Sequence, residues 1–318
     1  MAKFNLLYFL FYFTLLIISL SSCESQGHSK QQSQIPSQNT IRFEIQRNKI
    51  ILPVKVNESR QLKVILDTGM HFEGLLLYKK ELTNEIGIKD AIDVEVGGAG
   101  GGNASTAVTA DSMSFFIGRH RFINQRIIVL QNDRMKGFPS DGVVGYSLFK
   151  DYCVEIDYDH MKLFLHDSLE VLDSSWEWIP MTFKDNNIPW VEAEVNVNGD
   201  DKIPVSAYID LASSEAIEIL IREDTKFQLP ADLEDYYLGR GLSGDIYGQR
   251  GTISYLKIGS FYLKNVLATF APAEIRSRQE DADAVLANNA LRRFNSIFDY
   301  KKKRLYLKPN SNFNDPFN

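Results

Sequence analysis

Beyond residue 40 the chain is built from short runs in which apolar and polar side chains alternate, each closed by glycine, asparagine or aspartate. Ile51 to Val56 (ILPVKV) and Leu62 to Asp67 (LKVILD) flank a polar turn at Asn57. Trp190 to Val197 (WVEAEVNV) and Val205 to Asp210 (VSAYID) flank another at Asn198. A period of two puts successive side chains on opposite faces of a strand, so these runs predict half-buried strands joined by hairpin turns. Stretches with the 3.6-residue period of an amphipathic helix are scarce, and one short helical stretch is expected in a connector near residues 169–177. The expected fold class is mostly β.

The same layout occurs twice. The strand, turn and strand ending at Asp67 match those ending at Asp210, and the glycine-rich segment Gly97 to Gly102 matches Gly239 to Gly244. Ile117-Gly118 with Asn124 matches Ile258-Gly259 with Asn265, and Asp141 to Leu165 runs without a gap against Asp283 to Leu307. The offsets stay between 141 and 143 residues, and the drift falls in turns, where insertions cost little. Two homologous lobes are therefore expected, at 41–168 and 178–310, with a cleft between them where a ligand can bind.

The N-terminus changes the picture of where the protein works. Lys3 precedes a nearly continuous apolar run from Phe4 to Leu20, followed by Ser21 and Ser22, so residues 1–22 read as an export signal. Residues 24 to 40 are rich in Ser and Gln without apolar periodicity, which makes 23–40 an expected flexible tether. The other cysteine, Cys153, lies in an apolar strand-like run and is expected to be an inert core residue. The chain has 318 residues, 44% hydrophobic and 24% charged, with a net charge of -6, and its basic cluster Lys301 to Arg304 reads as a turn. That balance excludes a nucleic-acid partner, which demands clustered cations.

Each lobe ends its second strand in an aspartate: Val64-Ile65-Leu66-Asp67-Thr68-Gly69 and Ala207-Tyr208-Ile209-Asp210-Leu211-Ala212. A carboxylate closing a buried strand needs a reason. The first hexapeptide resembles the hydrophobic-Asp-Thr-Gly signature of the aspartic proteases, and Gly142-Val143-Val144-Gly145 resembles their hydrophobic-hydrophobic-Gly segment. The resemblance spans about residues 41 to 310 and comes nearest to bacterial lipoproteins with duplicated retropepsin-like domains. Leu20-Ser21-Ser22-Cys23 likewise resembles the bacterial lipobox.

These resemblances imply two closed-barrel-like lobes of the aspartic protease fold and an endopeptidase whose Asp67 and Asp210 share a water, with no cofactor and no metal. Thr68 and Gly69 are the implied supports; Ser213 is expected as a further one, since Ser213 and Ser214, beside the departing Leu211-Ala212, offer hydroxyls to the Asp210 carboxylate. Gly97, Gly98, Gly100, Gly101 and Gly102 form the implied flap. Cys23 is the implied lipid site, tethering a monomer to a bacterial envelope membrane, in the periplasm or on the outer membrane of a Gram-negative cell. The expected partners are a peptide or protein substrate and, through the lipid, the membrane.

The second lobe departs from the signature. Leu211 and Ala212 stand where the family has a hydroxyl residue and glycine, and Ala284 and Ala287 replace the counterparts of Gly142 and Gly145. Three alternatives stay open: an inactive pseudoprotease that grips an extended peptide or polymer, a structural envelope component, and a homodimer pairing two Asp67 loops. His71 reads as a surface histidine, and Asp157 and Asp299, each followed by Tyr, read as turn formers.

Overall fold

The computed structural model describes residues 40–317 except 185, 200–201, 226 and 277–280. Cys23, the export signal and nearly all of the tether lie outside the described residues.

Alternating sequence becomes strand as expected, and each lobe folds into an eight-stranded sheet with the same order of strands. The first runs Glu44–Gln46, Lys49–Val56, Leu62–Leu66, Gly142–Val144, Gly74–Leu77, His120–Leu130, Ser105–Ile117, Ile92–Val96. The second runs Thr182–Phe183, Pro189–Asn196, Ile203–Asp210, Ala284–Ala287, Ile217–Ile221, Phe261–Pro272, Gly244–Ile258, Glu234–Gly241. Each sheet curls back on itself: Lys49–Val56 also pairs with Ser105–Ile117, and Pro189–Asn196 with Gly244–Ile258. This closure hides strand edges and makes the sheets barrel-like.

Matched turn residues explain the matched sequence. Gly118 (φ 59°) and Gly259 (φ 58°) turn the two long hairpins, and Asn124 (φ 56°) and Asn265 (φ 51°) repeat a left-handed kink a few residues on. Glycine and asparagine tolerate that region best.

A six-stranded sheet joins the halves, in the order Thr40–Arg42, Lys162–His166, Cys153–Asp157, Phe294–Asp299, Arg304–Pro309, Glu177–Pro180. Its centre is the antiparallel contact of the lobes' closing hairpins, Val154 opposite Phe298 and Ile156 opposite Ser296. The connector differs from expectation: residues 169–176 contain no helix, and Glu177 already starts an edge strand of this sheet. The carboxyl-terminal strand Arg304–Pro309 offers an edge, and Glu177–Pro180 satisfies its main-chain groups by pairing there. One apolar cluster, including Leu52, Phe149, Val191 and Phe298, runs through both lobes. Cys153 is a buried free thiol pushed up to about 11, chiefly by burial, which suits a core role.

Candidate active site

Both aspartates sit where a strand breaks off beneath a crossing segment. In the first lobe Leu62–Leu66 runs parallel to Gly142–Val144, which also pairs antiparallel with Gly74–Leu77. The Asp67 N–H donates to Val144 O at 2.8 Å, fixing the chain as it leaves the sheet. The crossing is too tight for side chains: a Cβ on Gly142 would meet Leu76 O at 2.2 Å, and one on Gly145 would meet Asp67 O at 2.0 Å. In the second lobe Ile203–Asp210 runs parallel to Ala284–Ala287, with Asp210 opposite Ala287, and both alanines are fully buried. This crossing accommodates two methyl groups at the places where the first has room for none.

The aspartates converge on one point. Asp67 Oδ1 accepts the Gly69 N–H at 2.7 Å, while Asp210 Oδ1 accepts the N–H groups of Ala212 at 2.9 Å and Ser213 at 3.1 Å. A Cβ built on Gly69 would lie 3.0 Å from Asp67 Oδ1 and 3.9 Å from Asp210 Oδ1, so Gly69 leaves room where the carboxylates face each other. Ser213 therefore meets Asp210 through its main chain. Ser214, expected to offer a hydroxyl to that carboxylate, instead donates it to Arg47 O at 2.7 Å and accepts from Lys49 Nζ.

The loops are locked across the lobes from one side. Thr68, buried at 1% exposure, donates its hydroxyl to Ile209 O at 2.7 Å and accepts the Leu211 N–H at 3.1 Å. Leu211 has no hydroxyl to return the contact. A clasp at the Arg47-Asn48 turn adds a second tie, with Asn48 Nδ2 donating to Ser214 O at 3.0 Å and Asn288 Nδ2 donating to Asn48 O at 2.7 Å.

Electrostatics follow from burial and proximity. Withdrawal from water pushes the Asp67 carboxyl up to about 8, and the neighbouring Asp210 charge pushes the same way. Asp210 is also raised by burial, against the pull of Arg276, which favours its charged form. Lys49 is pulled down by burial and held partly up by Asp210 and Glu215.

Above the aspartates lies a cleft of about 950 Å³, lined from both lobes. Two hairpin tips roof it. Ser243 N–H donates to Ala99 O at 3.0 Å, Gly102 N–H to Ser243 O at 2.7 Å, and Ser105 Oγ to Leu242 O at 2.8 Å. Gly100 takes φ 114°, and a Cβ there would lie 2.6 Å from Gly244 N, so glycine is required where the tips cross. Gly97 and Gly98 line the cleft, and the Gly98 N–H donates to Ser243 Oγ at 3.2 Å; a Cβ added at Gly101 would meet nothing within 4 Å.

The expected flap, Gly97 to Gly102, is one of two crossing hairpin tips. The matching glycines at 239–244 were the signal that a second hairpin joins it. His71, read as a surface residue, lines the cleft, and Asn187 Nδ2 donates to its carbonyl at 2.9 Å. Lys49 and the Arg276–Glu218 pair had no local motif to reveal them. Asp157 and Asp299 each accept a main-chain N–H three residues on, from His160 and Lys302, as turn formers do.

Strand order, closed sheets and the aspartate-bearing crossings together define the aspartic protease fold. The solved structures include a match to the crystal structure of an aspartic proteinase from Irpex lacteus. It has a TM-score of 0.52 and 12% identity over 87% of this chain and 98% of that chain. At that identity the likeness concerns the fold. No family model and no curated protein matches the chain.

Proposed function

We propose that the chain is an aspartic-type endopeptidase. The observation that carries this reading is the convergence of Asp67 and Asp210, each held by main-chain N–H donors, at the floor of a roofed interlobe cleft. Two acidic groups this close and partly withdrawn from water share one proton, because ionising both is costly. Arg276 favours charge on Asp210, so the shared proton rests on Asp67. Asp210 takes a proton from a water held between the carboxylates, and that oxygen attacks the peptide carbonyl carbon. Asp67 gives its proton to the carbonyl oxygen, forming a neutral gem-diol. The C–N bond then breaks as Asp210 returns its proton to the leaving nitrogen and Asp67 recovers one from a hydroxyl. Glycine-tipped hairpins open for substrate and exclude water when shut.

Export and lipid attachment through Cys23, with placement in a bacterial envelope and kinship to lipoproteins of duplicated retropepsin-like type, complete the reading and rest on the sequence. Cys23→Ser is expected to move the protein from the membrane fraction to the soluble one; unchanged retention counts against the lipid.

The test of the activity is cleavage of a mixed peptide library by the full chain across acidic to neutral pH. Asp67→Asn and Asp210→Asn are each expected to lose roughly a thousandfold or more of kcat/KM. Activity that survives only in Asp210→Asn indicates pairing of Asp67 loops between two chains. The missing hydroxyl at Leu211 favours a second reading, a peptide-binding protein that does not cleave, and binding without cleavage in the wild type supports it.

A further inference from the structure

The two walls of the cleft occupy equivalent places and differ in chemistry. In the first lobe Leu76 lies opposite Val143 and beside Ile128, and Met135 follows seven residues after Ile128. All four belong to one buried apolar cluster with Ile51, Ile65 and Tyr78. In the second lobe Glu218 lies opposite Val285 and beside Thr269, and Arg276 follows seven residues after Thr269. An ion pair thus stands where the first lobe has Leu and Met.

The pair is built to present a guanidinium. Glu218, 1% exposed, accepts Arg276 Nε at 2.8 Å and Nη2 at 2.9 Å, so both carboxylate oxygens are used in a bidentate fork. Arg276 lines the cleft with its side chain 10% exposed, and among the described residues its Nη1 makes no hydrogen bond. The surroundings reinforce the sign. Among the described residues seven cationic side chains line the cleft, Lys49, Arg134, Arg250 and Arg276 among them, against three carboxylates, two of which are Asp67 and Asp210. Arg240 and Arg276 are paired with Asp245 and Glu218 outside the lining, so five cations face those three carboxylates. The cleft lining is thus net positive, whereas the whole chain carries a net charge of -6.

Building on the endopeptidase reading, we propose that the substrate is an acidic polypeptide segment. Its apolar side chain next to the scissile bond enters the Leu76–Met135 wall, and an acidic side chain on the other side of that bond is held by Arg276. The burial cost of the ion pair makes sense on this view, since a Leu–Met pair of similar volume would stabilise the fold at least as well.

The experiment uses peptides with Leu on one side of the scissile bond and Glu, Gln, Leu or Lys on the other, in both orders. Their binding to full-length Asp67→Asn protein is read by fluorescence anisotropy, and their cleavage by the wild type is followed in parallel. A Glu peptide is expected to bind about tenfold to a hundredfold tighter than its Gln and Lys counterparts, with the difference shrinking as salt is raised. The double variant Glu218→Leu/Arg276→Met copies the first-lobe wall and should fold; it is expected to prefer Leu over Glu. Arg276→Lys should retain part of the Glu preference. Equal binding of Glu and Lys peptides, an unchanged preference in the double variant, or no peptide binding at all overturns the proposal. Glu-selective binding without wild-type cleavage leaves acidic-peptide recognition by Arg276 standing and overturns the endopeptidase reading.

Discussion

The first aspartate loop is built with almost no tolerance, and the second with slack. A Cβ added to Gly142 or Gly145 would fall within 2.2 Å of a main-chain oxygen, and Thr68 spends both hydroxyl functions on the opposite loop. The second loop has Ala284 and Ala287 at the same places and Leu211 where a hydroxyl would reach back. Position is thus imposed by one lobe and accepted by the other. The second loop recovers rigidity from neighbours outside the repeat pattern, through Ser214 against the Arg47-Asn48 turn and Asn288 against Asn48.

The largest effects should appear when the tight crossing is disturbed. Gly145→Ala forces a methyl into Asp67 O, so cleavage is expected to fall by roughly a hundredfold or more, since small misplacements at a reacting centre cost that much. Ala287→Gly, the reciprocal change, should stay within about threefold of wild type and lose about 1 kcal/mol from added chain freedom. Comparable losses in the two variants would remove the asymmetry.

Thr68→Val is next. It leaves the buried Leu211 N–H and Ile209 O without their partner, and denaturant unfolding should show a loss on the order of 2 kcal/mol. Stability unchanged within error would mean that the cross-lobe bonds do not lock the loops.

The pH dependence has a definite sign. Asp67 keeps a proton in the folded protein up to about 8, whereas its ordinary value is 3.8, so between these limits the folded form binds more protons than the unfolded one. Stability from this group is fully present below about pH 4 and is lost as pH rises toward 8. Thermal melts should fall by on the order of 5 °C across that window, and Asp67→Asn should flatten the slope. A smaller effect is expected from Lys49→Met. Its ammonium favours the charged forms of both aspartates, so its removal should shift both limbs of the activity profile to higher pH by under about one unit. An unshifted profile would show that Lys49 acts only through Ser214.

Much of this was legible in the sequence because its causes are local. Alternation fixed the strands, Gly118 and Gly259 the hairpin turns, and the Asp-Thr-Gly run the end of one strand. The parts that were not legible depend on distant segments meeting. Glu177–Pro180 is a strand because Arg304–Leu307 offers an edge, and its own residues do not say so. Glu218 and Arg276 are 58 positions apart, and only the strand register brings them together. The hydroxyls of Ser213 and Ser214 are near Asp210 in sequence, but in the folded turn the main-chain N–H groups of Ala212 and Ser213 take the role of partners.

The most direct measurement of the shared proton is a titration of aspartate carboxyl carbons by NMR, in wild type and in Asp210→Asn, from about pH 3 to 9. Two carboxyls should titrate as a linked pair, one step well above the ordinary carboxylate range, and the Asp210→Asn variant should collapse them to a single step. Independent titration of both groups near their ordinary value, unchanged by the substitution, would contradict a proton held in common.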